Sequence, residues 1–251
     1  KKYNIINNEI NLTKNTNWNK FGYIKTKILN EKIQSEIKKK IIKYVKKILI
    51  DTFPKKNFRK FKLINYYKYL NKSEHYYFLK KIENGIEFKK VGFEKKIFEK
   101  AISKLLEVKV TTKNLHSKKI NSKTFALRIV RPEKNDFNPP HKDVYLKRLK
   151  NGINIYFPIV GSNKLSSLPI LPGSHLLNEN EILRTKNGAI VNNVKFRVPC
   201  IISCKYGLNL IRPNPTKNQI LVFSPYLIHG GGSNDNKDKT RVSLELRFWK
   251  K

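Results

Sequence analysis

Along the first half of the chain the apolar residues recur at helical spacing, and along the second half they alternate with polar ones. In "EKIQSEIKKKIIKYVKKIL" (31–49), Ile33, Ile37, Ile41, Tyr44 and Ile48 return every three or four residues with lysines around them. That spacing predicts an amphipathic helix, with Asn30 as its N-cap. Before it, "FGYIKTKIL" (21–29) alternates like a short strand. "GFEKKIFEKAISKLLEV" (92–108) predicts a second helix, with Phe93, Ile97, Ile102, Leu105 and Leu106 on its apolar side. Residues 1–20 are polar and Asn-rich, which predicts a loosely held segment, and 51–90 has periodicity too weak to assign.

From about residue 120 the pattern changes to short runs punctuated by Gly, Pro and Asn: "TFALRIVRP", "GINIYFPIV", "LPILPGSH", "GAIVNNVKFRVP", "QILVFSPYLIH" and "RVSLELRFW". No helical pattern separates them, so the connections favour an antiparallel sandwich or barrel over a parallel sheet. The expected architecture is mainly β with N-terminal helices (α+β), in a single domain spanning 1–251. Residues 1–119 would form a helical and lid region, and 120–251 a barrel.

Composition changes this picture little. The 54 Lys and Arg against 18 Asp and Glu give a net charge of +36, which invites a polyanion as partner. Only nine of the 54 are Arg, however, and the planar fork of Arg is the group that phosphate and base recognition recruits. A Lys-, Asn- and Ile-rich surface also arises by compositional drift. Nucleic acid therefore stays the minor reading, and an anionic or carrier-linked small molecule gains slightly. Cys200 and Cys204, inside the apolar "VPCIISCKY", are expected to be buried thiols, since further ligands for a zinc site are not nearby. No apolar run is long enough for a membrane span and no secretory signal is visible, so a cytoplasmic location is expected.

The chemistry lies in three places. "NPPHKDVYL" (138–146) sets His141 and Asp143 two apart, on one side of an extended segment, where both can close on one ion. His229 ends "QILVFSPYLIH"; "GGGSNDNKDKT" then reads as a turn and "RVSLELRFW" as a return strand, which predicts a hairpin with His229 and Arg241 on neighbouring strands. Two histidines and one carboxylate form the facial triad that binds non-haem Fe(II) with coordination positions left open. On the return strand Val242, Leu244, Leu246 and Phe248 form an apolar face, and Arg241, Ser243, Glu245 and Arg247 form the opposite face. An Arg and a hydroxyl two apart on one face suit a carboxylate, such as that of 2-oxoglutarate.

With HxD at 141–143, a distal His 88 residues on and an Arg twelve beyond it, the chain resembles the Fe(II)/2-oxoglutarate-dependent oxygenases. "YFPIVGSNKLSSLPILPGSH" between the two metal motifs, and "FGYIKTKILNEKIQSEI" near the start, make it similar to the phytanoyl-CoA dioxygenase-like branch. The resemblance implies a double-stranded β-helix of the jelly-roll, cupin-like kind, flanked by helices. It implies His141, Asp143 and His229 as iron ligands, with Arg241, helped by Ser243, holding the distal carboxylate of 2-oxoglutarate. Tyr156 falls where relatives often carry a Trp beside the cosubstrate. The implied reaction is hydroxylation of a small molecule with O₂, releasing succinate and CO₂.

Two rivals stand beside it: a cupin-like metal enzyme that does not use 2-oxoglutarate, and a nucleic-acid-binding or nucleic-acid-modifying oxygenase suggested by the charge. His175 of "PGSH" is expected to be structural, His75 and His116 to lie on the surface, and Arg128 and Arg131 to be either pocket or surface arginines. Arg247 is the weaker candidate for the cosubstrate.

Overall fold

A short helical turn, α1 (Trp18–Phe21), leads into strand β1 (Tyr23–Thr26), and Asn30 then opens the long helix α2 (Glu31–Thr52), its Oδ1 accepting from Ile33 N at 2.8 Å. This is a computed structural model, and it describes residues 18–251 apart from 84, 114–123, 135, 147–148, 151, 192–193 and 217. Residues 1–17 of the Asn-rich segment, and His116, lie outside the described residues. On α2 the buried line is Gln34, Ile37, Ile41, Val45 and Leu49, with Ile33, Tyr44 and Ile48 at its edge. Burying each aliphatic side chain there is worth about 1.5–3 kcal/mol.

The segment the periodicity left open forms α3 (Lys72–Ile82), strand β2 (Ile86–Glu87) and α4 (Phe88–Val91). A capping box starts α3: Asn71 Oδ1 accepts from Glu74 N, and Glu74 Oε2 accepts from Asn71 N. The second expected helix is α5 (Lys95–Leu106), followed by β3 (Val110–Thr111), β4 (Thr124–Val130) and β5 (Gly152–Val160). Then come β6 (Ile182–Arg184), β7 (Ala189–Val191), β8 (Val194–Phe196), β9 (Ile201–Cys204), β10 (Ile220–Phe223) and β11 (Arg241–Lys250).

Seven of these strands form one antiparallel sheet in the order β1-β10-β5-β11-β4-β2, with β3 also beside β11. One face packs on the helices: Ile153, Ile155, Phe157 and Ile159 of β5, and Val242, Leu244, Leu246 and Phe248 of β11, share a core with Ile41, Leu49 and Phe98. The other face carries Asn154 and Tyr156, and there Tyr156 packs with Ile170, Leu221, Phe223 and Leu227. A second, irregular layer lies on that side. It contains the β6–β9 pair and single bridges joining His141 to His229, and Ile170 to both His229 and Ile211.

Several expectations are corrected. The strands are antiparallel and mainly β with helices, as expected, but the described residues do not close a barrel. "LPILPGSH" is a bridge at Ile170 followed by a 3-10 turn at Ser174–Leu176, and "GAIVNNVKFRVP" is the separate β7–β8 pair. The hairpin between 219–229 and 241–249 does not form, because β10 pairs with β1 and β5 while β11 pairs with β4 and β5. Pro225 explains this: it has no N–H for a ladder. Ser224 Oγ accepts from Tyr226 N at 3.1 Å, and the chain turns out of the sheet and carries His229 into the second layer. Cys200 and Cys204 are free and half-buried rather than fully buried.

His75 is a further correction. It is fully buried, with Nδ1 3.0 Å from Tyr66 Oη and Nε2 3.4 Å from Asp136 Oδ2. Asp136 in turn accepts from Arg131 Nε at 2.7 Å, Nη2 at 2.9 Å and backbone N at 3.0 Å. Arg131 is therefore buried, while Arg128 is partly exposed and pairs with Glu245. This network ties the loop before the HxD motif to the helical layer.

Candidate metal centre

His141, Asp143 and His229 come together, all three buried, with one ligand atom from each lying within 4.8 Å of the others. His141 and His229 occupy adjacent extended segments whose backbones exchange hydrogen bonds of 2.8 and 3.0 Å, which sets their ring centroids 4.4 Å apart with the planes tilted by 48°. The alternation expected of "HKD" holds: Lys142 points away and donates from Nζ to Leu177 O at 3.0 Å, while Asp143 returns to the side of His141. Close approach requires glycine at 230, where φ is +101° and an added Cβ would sit 2.6 Å from Pro139 O. Ser174 of "PGSH" also fixes this strand, since its Oγ accepts from Ile228 N at 2.8 Å and donates to Leu171 O at 2.6 Å.

Each ligand is oriented by the atom it does not offer. The Nδ1–H of His141 donates to Pro139 O at 2.7 Å and that of His229 to Leu227 O at 2.9 Å. A carbonyl only accepts, so in the neutral form of each ring Nε2 is the unprotonated atom, with its lone pair available to a cation. Asp143 Oδ2 accepts from Asn154 Nδ2 at 2.9 Å and from Arg247 Nη2 at 3.2 Å. That leaves Oδ1 facing His141 Nε2 at 3.4 Å and His229 Nε2 at 3.8 Å. Asn154 and Arg247 are register partners on β5 and β11, which is why both reach the same oxygen.

The electrostatics match. Burial alone would raise the Asp143 carboxyl, but Arg247 and the two imidazoles outweigh it and hold it well below the usual carboxylate range. Burial, then the neighbouring His141, lowers His229 to about 4, so it is neutral at physiological pH. Two imidazole nitrogens and one carboxylate oxygen converging on one point fit a divalent transition metal.

Arg241 is 4% exposed and lines the same cavity of about 560 Å³ as the three ligands. Its Nη1 donates to Ser243 Oγ at 3.1 Å, its guanidinium carbon is 5.9 Å from the centroid of the Tyr156 ring, and its Nε has no partner. Among the described residues no carboxylate lies within ion-pair distance of it, whereas Arg128, Arg131 and Arg247 each have one. Ser243 and Tyr156 are buried against Arg241 rather than lining the cavity, and Tyr156 Oη is bonded to Ser162 Oγ at 2.8 Å.

Sequence reasoning missed Asn154 and did not give Arg247 its partner. The signal for Asn154 was present: it is the one side-chain amide among the mostly apolar residues of "GINIYFP", at a position that alternation sends away from the helices. Orienting partners of this kind typically change metal affinity by about 10- to 100-fold. Asn154→Ala is expected to weaken Co²⁺ binding by about that factor in an equilibrium titration. Unchanged affinity would mean that Arg247 alone orients the carboxylate.

No protein-family model matches the chain, and no curated protein matches it in sequence. Among solved structures it is similar to AviO1 from Streptomyces viridochromogenes Tue57, at 14% identity and a TM-score of 0.51 over 92% of this chain and 91% of that one. The epimerase SnoN, in complex with Fe³⁺, alpha ketoglutarate and nogalamycin RO, aligns with a TM-score of 0.51 at 10% identity over 93% of this chain and 80% of that one. EvdMO1 aligns with a TM-score of 0.51 at 14% identity over 92% of this chain, which spans 48% of EvdMO1. These likenesses define the fold.

Proposed function

We propose that the chain is a non-haem Fe(II)- and 2-oxoglutarate-dependent oxygenase of a small-molecule substrate, built on a double-stranded β-helix of the phytanoyl-CoA dioxygenase-like kind. One observation carries this reading: a buried, uncompensated Arg241 in the same cavity as a His-Asp-His set. A buried guanidinium without a counter-ion is costly, so the cavity calls for an anion, and a 2-oxo diacid supplies a carboxylate for Arg241 and a chelating end for the metal. The complex of SnoN with Fe³⁺ and alpha ketoglutarate, on a similar fold, supports the same pairing.

His141 Nε2, His229 Nε2 and Asp143 Oδ1 would hold the metal. Bound there with its cosubstrate, the metal supplies the oxidising chemistry. The chain's own part is positional. Pro139 O and Leu227 O fix the imidazole tautomers, and Asn154 and Arg247 keep Oδ2 turned away. Coordination through a single carboxylate oxygen leaves further positions open. Ser243 and Tyr156 hold the Arg241 guanidinium, the Ser through its oxygen and the Tyr through its ring face. The burial of all three ligands keeps bulk water from the reacting centre.

The test is succinate release from 2-oxoglutarate in air with Fe(II) and ascorbate. The expected result is slow turnover without added substrate, suppressed by about 30-fold or more in Arg241→Ala, as losing one partner of a buried charge pair predicts. Turnover independent of Arg241, or none with any candidate substrate, would favour the cupin-like reading in which the metal works without 2-oxoglutarate.

A further inference from the structure

Three buried N–H groups without a partner among the described residues lie on one strand. They are Arg241 Nε, Arg247 Nε and Trp249 Nε1, at alternate positions of β11, and all three side chains line the cavity of the metal centre. A buried donor left unpaired costs about 1–3 kcal/mol, so such groups call for an explanation. Three on one face of one strand, bordering one cavity, are explained together if their acceptors come from a bound molecule. The cosubstrate accounts for Arg241.

Arg247 and Trp249 remain. Two residues apart on a strand, their side chains are spaced by about 6.5 Å along it. Arg247 is already balanced electrostatically: Nη2 is 3.2 Å from Asp143 Oδ2 and 3.5 Å from Glu245 Oε2. Burial would raise the Glu245 carboxyl, but Arg128 and then Arg247 bring it down to about 2, so it is ionised at neutral pH. What Arg247 offers a ligand is thus a directional N–H rather than an excess positive charge. The same cavity is lined by Phe88, Phe125 and Leu149, which give apolar surface for C–H groups to pack on.

We propose that Arg247 Nε–H and Trp249 Nε1–H form the substrate subsite of this oxygenase, and that its substrate is a neutral, oxygen-rich molecule presenting hydroxyl, ether or carbonyl acceptors to both. The inference rests on the oxygenase reading and narrows it. Despite the charge of +36, the described lining leaves no uncompensated arginine for an anionic substrate once Arg241 holds the cosubstrate. Arg247 also links the two parts of the site, since the guanidinium that would touch substrate already touches a metal ligand. That contact would hold the oxidised carbon close to the metal.

The test uses the whole chain labelled with ¹⁵N-tryptophan and loaded with Zn²⁺ and 2-oxoglutarate, which is unreactive. It has two tryptophans, and Trp18→Phe assigns the Trp249 indole signal. Methyl glucoside, maltose, γ-butyrolactone, glucose 6-phosphate and benzene are the probes. The expected result is a saturable downfield shift of the Trp249 indole proton with at least one neutral oxygen-rich probe, weaker with the phosphate and absent with benzene. In calorimetry, Trp249→Phe should weaken the best neutral probe about tenfold, the worth of one hydrogen bond, and leave the 2-oxoglutarate Kd within twofold.

A Trp249 signal silent to every neutral probe, or moved most by the phosphate or by benzene, overturns the proposal. So does an unchanged probe affinity in Trp249→Phe. Failure of the oxygenase reading appears separately, as absence of saturable 2-oxoglutarate binding to the unaltered chain. A Trp249 signal that still responds to neutral probes would then leave the subsite standing.

Discussion

Replacing Asp143 with alanine removes metal binding at micromolar concentrations and, with it, all substrate oxidation. The expectation follows from what each carboxylate oxygen does. Among the described residues Oδ1 is the only anionic donor facing the two Nε2 atoms, and Oδ2 holds the side chain in place through Asn154 and Arg247. Two imidazoles alone form an incomplete facial set. Asp143→Asn sharpens the point. An amide turned with its oxygen toward Asn154 and Arg247 offers NH₂ to the metal, and turned the other way it sets a donor against two donors. Both variants are therefore expected to lose at least about 100-fold in Co²⁺ or Fe(II) affinity, the upper end of what even an outer partner costs. A calorimetric metal titration checks this, and full activity in either variant would place the site elsewhere.

The second large effect concerns stability. Asp136 is fully buried, accepts three hydrogen bonds from Arg131 and faces His75. Removing one partner of a buried pair leaves the other charged and unsatisfied, at about 3–5 kcal/mol. Asp136→Asn should therefore lower Tm by about 10 °C in a domain of this size. Its pH dependence has a definite sign. Burial would raise the Asp136 carboxyl, but Arg131 and His75 bring it far below the usual carboxylate range. A carboxylate depressed on folding contributes stability that is fully present above about pH 4 and lost as pH falls further. Urea unfolding between pH 7 and 3 should show that acid loss in the natural chain and a smaller one in Asp136→Asn. A cost under about 1 kcal/mol would mean that the network does not anchor the loop.

The convergence of His141, Asp143 and His229 was legible in the sequence because it depends on residue type and local geometry. His141 and Asp143 share a side by strand alternation, and the same alternation on β11 separates Arg241 and Ser243 from the core face. Long-range packing was not legible. Nothing local says that the chain leaves the sheet at Pro225, and so the expected hairpin set His229 beside Arg241 on a neighbouring strand, whereas it bridges His141 and Ile170 in the second layer. Ser243, expected to help Arg241, and Tyr156, expected beside the cosubstrate, both contact the Arg241 guanidinium. Between 51 and 90, Asn71 and Glu74 carried a capping-box spacing, but the buried face it introduces is His75, Phe78 and Ile82. A histidine in that stripe hides the period, because its burial depends on partners 9 and 61 residues away.

The pairing of Arg241 with the His-Asp-His set is tested most directly by anaerobic titration of 2-oxoglutarate into Fe(II)-loaded protein. The account predicts saturable one-to-one binding that requires the metal and weakens by about 2–5 kcal/mol, roughly 30-fold or more, in Arg241→Ala. Equal affinity in the variant, or no binding to the natural chain, would contradict it.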